Sequence, residues 1–104
     1  MKFALKVAKL NIIAGKEIEF EKNFNKAQKI ISTMKGYISH ELHKSMDQEN
    51  IYLLLVKWQN LKDHQEGFRK SPQYQEFRKL LHHFYDPFPK VDYFSKVNLE
   101  IFDD

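Results

Sequence analysis

The run Ile51-Tyr52-Leu53-Leu54-Leu55-Val56, resumed at Trp58 after Lys57, is apolar at both parities. As a strand it sends apolar side chains to both faces of a sheet, so both faces must be covered. The residues after it are as restrictive. Asn60 with Asp63 three positions on suits a helix cap, and Ser71-Pro72 offers a second N-cap and first-turn residue. Ile51 to Tyr85 therefore reads as a covered strand feeding two abutting helices, the first ending near Lys70.

The remaining segments build around that strand. Phe3, Leu5 and Val7 share one parity while Leu10 and Ile12 share the other, which predicts a strand over Phe3 to Ile13 with a twist or bulge near Ala8-Lys9. Gly15 supplies a turn. From Lys16 to Met34, the residues Phe20, Phe24, Ala27, Ile31 and Met34 form one stripe of an amphipathic helix. Glu17, Glu19 and Glu21 precede Lys26, Lys29 and Lys35, a gradient that suits the helix dipole, and Gly36 ends the helix. Tyr37 to Lys44 alternates Ile38, His40 and Leu42 against polar neighbours as a strand, and the loop Ser45 to Asn50 makes a hairpin into the central strand. Helix Leu61 to Lys70 presents Leu61, His64 and Phe68. Helix Pro72 to Phe84 presents Tyr74, Phe77 or Arg78, Leu81 and Phe84. Asp86-Pro87-Phe88-Pro89 cannot continue a helix. Val91, Tyr93, Ser95, Val97 and Leu99 then alternate as a last strand, with Phe94 on the other face, before an acidic Asp103-Asp104 end.

Strand, helix, strand, strand, helices, strand is an α+β order. With right-handed crossovers it gives the ferredoxin-like βαββαβ arrangement, a four-stranded antiparallel sheet with its helices on one face. The 104 residues form a single domain, 1–104. Helices cover one side of such a sheet, yet the strands at Phe3 to Ile13 and Ile51 to Trp58 are apolar on the other side too. A second sheet from a twin subunit is the simplest cover, so a homodimer is expected.

Composition removes several classes of function. Without cysteine there is no disulfide, no thiolate chemistry and no cysteine-based zinc site, and a cytoplasmic setting is the expectation. Met1-Lys2-Phe3-Ala4-Leu5-Lys6 breaks its apolar run too early for a signal peptide, and no segment approaches a membrane span. A net charge of +3, with bases and acids interleaved, does not make a nucleic-acid surface.

Several pieces of the chain, taken in order, resemble the antibiotic biosynthesis monooxygenase domain. They are Gly15-Lys16-Glu17 with Glu19-Phe20-Glu21, Lys35-Gly36-Tyr37, Val56-Lys57-Trp58-Gln59-Asn60, His64 with Phe68, Ser71-Pro72-Gln73-Tyr74, and Phe84 to Val91. The resemblance spans roughly residues 3 to 97 and implies a dimeric α+β barrel with a pocket between sheet and helices in each subunit. It further implies oxygenation of a small aromatic or quinol-type compound, often with no metal or flavin, the deprotonated substrate itself giving electrons to dioxygen. A haem-degrading branch of this resemblance uses Asn, Trp and His where this chain has Ala8, Phe68 and Arg78, so haem cleavage is not expected.

On that reading His40, sharing a face with Ile38 and Leu42, is the candidate base, and Arg78 or a tyrosine among Tyr52, Tyr85 and Tyr93 would steady the oxyanion. Trp58, Phe68 and Tyr74 are the candidate substrate-binding aromatics. Each also has a purely structural reading: a hydrogen-bonded histidine, a surface arginine, a packed ring. His43 is read as exposed and His64 as packed against the sheet or a partner. His82 and His83 point about 100° apart on a helix and do not form a metal site. No bound cofactor is expected. The competing reading is a non-catalytic small-molecule-binding or stress-associated module on the same barrel.

Overall fold

Period-two alternation decides which side chains meet the helices. In the computed structural model, which describes residues 3–100, strand β1 (Ala4–Asn11) pairs antiparallel with β3 (Ile51–Trp58) without interruption from Ala4 opposite Trp58 to Asn11 opposite Ile51. There is no bulge at Ala8-Lys9. The two apolar parities of β1 are instead two faces: Ala4, Lys6, Ala8 and Leu10 turn toward the helices, and Phe3, Leu5 and Val7 turn away. A register shift does occur in β2 (Tyr37–Lys44), between Tyr37 and Ser39, where it pairs with β3.

The sheet runs β2-β3-β1-β4, all antiparallel, with β4 (Val91–Phe94) on the open edge of β1. This is the ferredoxin-like α+β fold. The last strand is shorter than its alternation suggests. Pairing covers only Leu5 to Ala8 against Phe94 to Val91, and Ser95, Val97 and Leu99 lie beyond the ladder. Met1-Lys2 and Asp103-Asp104 fall outside the described residues.

Helix α1 (Glu17–Ile31) buries Phe20, Phe24, Ala27 and Ile31, the stripe its spacing dictates. The segment after β3 does start at Asn60, whose Oδ1 accepts from the Asp63 N–H at 2.9 Å. It does not run as an α-helix to Lys70. Asp63–Phe68 is a π-type turn in which the Arg69 N–H reaches back five residues to the His64 carbonyl at 3.0 Å, with His64 and Phe68 buried and Leu61 left largely exposed. Helix α2 (Pro72–Leu81) begins as expected, the Ser71 Oγ accepting from the Tyr74 N–H at 3.2 Å, and ends in a 3₁₀ turn at His82–Phe84. From there the chain returns along β1, with the Asp86 N–H donating to the Asn11 carbonyl.

The core lies between sheet and helices: Leu10, Ile12, Tyr52, Leu54, Val56 and Trp58 against Phe20, Phe24, Phe68, Phe77, Leu81 and Phe84. The opposite face of the sheet carries Phe3, Leu53 and Phe94 largely exposed, alongside Leu5, Val7 and Leu55.

Two glycines separate backbone strain from crowding. Gly15 and Gly36 both have positive φ, +89° and +83°. A Cβ at Gly15 would meet open space, whereas one at Gly36 would overlap the Asp63 carboxylate. Gly15→Ala is expected to lower unfolding free energy by about 1 kcal/mol, and Gly36→Ala by about 2–3 kcal/mol, the left-handed backbone plus displacement of Asp63. Urea denaturation measures both; equal losses would mean that Asp63 yields freely.

Candidate active site

Ala4 and Ala8 flank Lys6 on the helix-facing side of β1 and leave room around its long side chain. Opposite them, the π-type turn delivers His64 and Arg69, α2 delivers Tyr74 and Phe77, and the segment behind it brings His82, Tyr85, Phe88 and Pro89. Together with Leu10, Leu54 and Val91 from the sheet, these enclose a cavity of about 50 Å³. That volume holds a few water-sized groups. An aromatic ring requires the cover to move, and the cover is Phe88, 63% exposed and held by edge contacts to His82 and Tyr85 at centroid distances of 5.0 and 5.8 Å.

The charge of this cavity is one-sided. Lys6 is only 9% exposed, it makes no ion pair or side-chain hydrogen bond with another described residue, and no carboxylate among the described residues lines the space. Burial, and after it the nearby Arg69 guanidinium, lowers the Lys6 pKa to about 8. His64, 2% exposed, is driven down to about 3 by burial and then by Lys6 and Arg69. His82 falls to about 4 through burial, then Arg78, Lys6 and Arg69. Both imidazoles are neutral at pH 7. Burial, then Tyr74, pushes the Tyr85 phenol well up, so it is a donor rather than a phenolate.

Neighbouring strands fix these groups. Lys6 stands in the ladder between Val56 of β3 and Tyr93 of β4. The Tyr93 hydroxyl lies 2.8 Å from His64 Nδ1, and the imidazole packs on Trp58 and Phe68. A Tyr93 hydroxyl that donates to Nδ1 leaves the ring proton on Nε2, where it is the remaining donor.

The residues singled out from sequence are scattered by comparison. His40 is half-buried in a shallow hollow beside α1. Its Nε2–H donates to Gln28 Oε1 at 2.8 Å and its Nδ1 accepts from the Tyr37 hydroxyl, so both ring nitrogens are engaged, and burial lowers its pKa. Arg78 is exposed on α2 among Gln75, Lys79, His82 and His83. The two do not share a cavity. Of the three aromatics, Tyr74 lines the Lys6 cavity, while Trp58 and Phe68 are fully buried in the adjoining core, the Trp58 Nε1–H having no partner there. Tyr52 is tied to Glu21 Oε2 at 2.6 Å, and His43, exposed, sits 3.1 Å from Glu41. Lys6 and Arg69 are the residues that sequence reasoning passes over. No group of three or more His, Asp or Glu able to hold a metal occurs among the described residues.

The histidines make the fold acid-sensitive. Both bind protons below about 6.5 when unfolded but only near 3 to 4 when folded, so the unfolded state takes up more protons as pH falls and stability falls with it. The melting temperature should decline between pH 6.5 and 4, and His64→Gln should flatten that decline. A variant as acid-sensitive as the parent would show that His64 is not the source.

Comparison with known proteins agrees with this architecture. A family model described as antibiotic biosynthesis monooxygenase matches residues 4–80. The uncharacterized protein YczJ of Bacillus subtilis (strain 168) is 56% identical over 90 residues, which is 86% of this chain and 95% of that protein. A Bordetella bronchiseptica structure classed with the antibiotic biosynthesis monooxygenases superposes with a TM-score of 0.89 at 28% identity, covering 94% of this chain and all of the other. SnoaB, a cofactor-independent oxygenase from Streptomyces nogalater, shares the fold with a TM-score of 0.75 at 14% identity, over the full length of both chains. With three-quarters of its length inside the family model and a fold that overlays on these structures, the chain belongs to the antibiotic biosynthesis monooxygenase family.

Proposed function

We propose that the protein is a cofactor-independent oxygenase of a small electron-rich aromatic, of quinol or anthrone type, and that Lys6 is its base. The observation that carries this reading is a buried lysine without a counter-ion among the described residues, in an aromatic-walled cavity between sheet and helices. With a pKa of about 8, roughly one Lys6 in ten is a neutral amine at pH 7, close to the optimum for a base that must both accept and keep a proton. The amine takes the substrate proton. The ammonium so formed, with Arg69 at the exposed rim of the cavity, holds the resulting enolate or phenolate by charge pairing.

The electrons come from the substrate. An anthrone-type methylene carbanion gives its electron pair to dioxygen and forms a carbon–oxygen bond; the peroxide takes a proton, and loss of water leaves a carbonyl. One oxygen atom stays in the product and the other leaves as water, so the substrate is the only reductant. Lys6 and Arg69 here fill the roles that sequence position offers to His40 and Arg78. SnoaB, named as a cofactor-independent oxygenase, supports the same class of chemistry.

A module without turnover that binds a molecule smaller than an aromatic ring is the second reading, and the cavity volume of about 50 Å³ favours it, since pockets for aromatic ligands usually measure several hundred. Oxygen uptake on a panel of hydroquinones and anthrones separates the two. Lys6→Met is expected to lower the rate by about a hundredfold or more. A loss confined to His40→Ala would return the base to His40, and no uptake by the parent protein on any substrate would leave the binding module.

We further propose that the sheet faces a second copy of itself. Phe3, Leu53 and Phe94 lie exposed on one face of the sheet with Leu5, Val7 and Leu55, more apolar surface than a lone subunit ordinarily leaves, and a groove of about 580 Å³ beside Phe3, Leu5 and Phe94 is lined also by Ser95, Lys96 and Asn98. Sedimentation at micromolar concentration should give the mass of two chains, and Leu53→Glu should shift it toward one. A parent protein that sediments as a monomer would refute the pairing. Among the described residues no helix is long and apolar enough to cross a membrane.

A further inference from the structure

We infer that the Lys6 cavity is the carboxylate pocket of an aromatic acid: Lys6 and Arg69 take the carboxylate, and the ring lies in the mouth now covered by Phe88. This rests on the reading that the cavity receives the substrate, but not on any oxygen chemistry, and a Lys6 held as the ammonium by a carboxylate is the anchor of that acid rather than the base of its oxygenation. A buried ammonium costs free energy unless something compensates it. Among the described residues nothing does so: Lys6 has no acidic partner, the second charge at the cavity is Arg69, also a cation, and the other polar residues lining it are the neutral His64 and His82 with Tyr74 and Tyr85. A ligand carboxylate would supply the compensating charge.

The shape of the site narrows the anion. The enclosed volume suits a group of carboxylate size and excludes a ring. A guanidinium presents paired donors that match the two oxygens of a planar carboxylate, and an ammonium adds a point charge. The next layer outward is aromatic. Tyr74 and Phe88 stand edge-on to His82 at 5.9 and 5.0 Å, and Phe88 is the exposed member that a ligand ring would replace. A carboxylate inside and a ring outside is the arrangement of a benzoate-like acid.

Calorimetric titration under nitrogen tests this with benzoate, benzamide, acetate and inorganic phosphate. Benzoate should bind, benzamide and acetate at least tenfold more weakly, and phosphate no better than acetate. Because the ammonium is the binding form, benzoate affinity should fall about tenfold between pH 7 and pH 9, with Lys6 titrating near 8. Lys6→Met should lose at least tenfold at pH 7. If that variant does not fold, the ligand panel and the pH series on the parent protein decide. Benzamide equal to benzoate, acetate or phosphate equal to benzoate, or an affinity flat from pH 7 to 9 would each overturn the inference. Benzoate binding without oxygen uptake on any substrate sinks the oxygenase reading alone; oxygen uptake without discrimination between benzoate and benzamide sinks this one alone.

Discussion

The unbroken ladder between β1 and β3 is the constraint on which both surfaces of interest depend. Side chains on a strand change face at every residue, so a register that never slips from Ala4 to Asn11 commits each of them. Lys6 must then share a face with Ala8 and Leu10, under the helices. Phe3, Leu5 and Val7 must share the other, away from them. A single bulge would have exchanged these sets, putting the lysine in water and three more apolar residues in the core. The cavity and the exposed apolar sheet are thus one decision made by hydrogen-bond pairing.

Holding Lys6 inside costs stability. Its ordinary pKa of about 10.5 falls to about 8, which corresponds to a penalty on the order of 3 kcal/mol for the protonated folded state. The penalty applies in full below about pH 8 and fades as pH rises toward 10.5, where the unfolded chain also loses the proton. A domain of 104 residues has little stability to spare. An apolar residue would remove the penalty at this site, so a lysine here is better explained by what it does than by what it stabilises.

Much of the fold was legible because period and punctuation agreed. The stripe Phe20, Phe24, Ala27 and Ile31 gave α1, although the helix stops at Ile31 and leaves Met34 and Gly36 in the turn beyond it; Asn60 and Ser71 started their segments, and the doubly apolar Ile51–Trp58 became a central strand. The Lys6 cavity was less legible, for a definite reason. Reading the parity change between Val7 and Leu10 as a bulge turned Lys6 outward and hid it; reading it as two apolar faces leaves an inward lysine between two alanines, which is the available signal. His40 does face the helices with Leu42, but the register shift at Tyr37/Ser39 puts Tyr37 rather than Ile38 on that face, and the alternation does not reveal that Gln28 and Tyr37 occupy both its nitrogens. Arg69 could not be found at all, since only the π-type turn carries it back to the cavity and helical spacing does not foretell that turn.

That turn also explains why the helical layer is closed on one side and open on the other. Under α1 the rings of Phe24, Tyr52 and Phe84 each lie within about 6 Å of Phe20 and fill the space around it. Under the second half, one wide turn replaces what would have been two turns of α-helix, and His64 and Phe68 reach the sheet while Arg69 sits at the rim. The backbone there is anchored at its start by Asn60 and succeeded at once by the Ser71 cap, so it cannot relax into a longer regular helix. The short segment between those two caps sets Arg69 at the cavity's rim, and Phe88 lines the cavity from the solvent side.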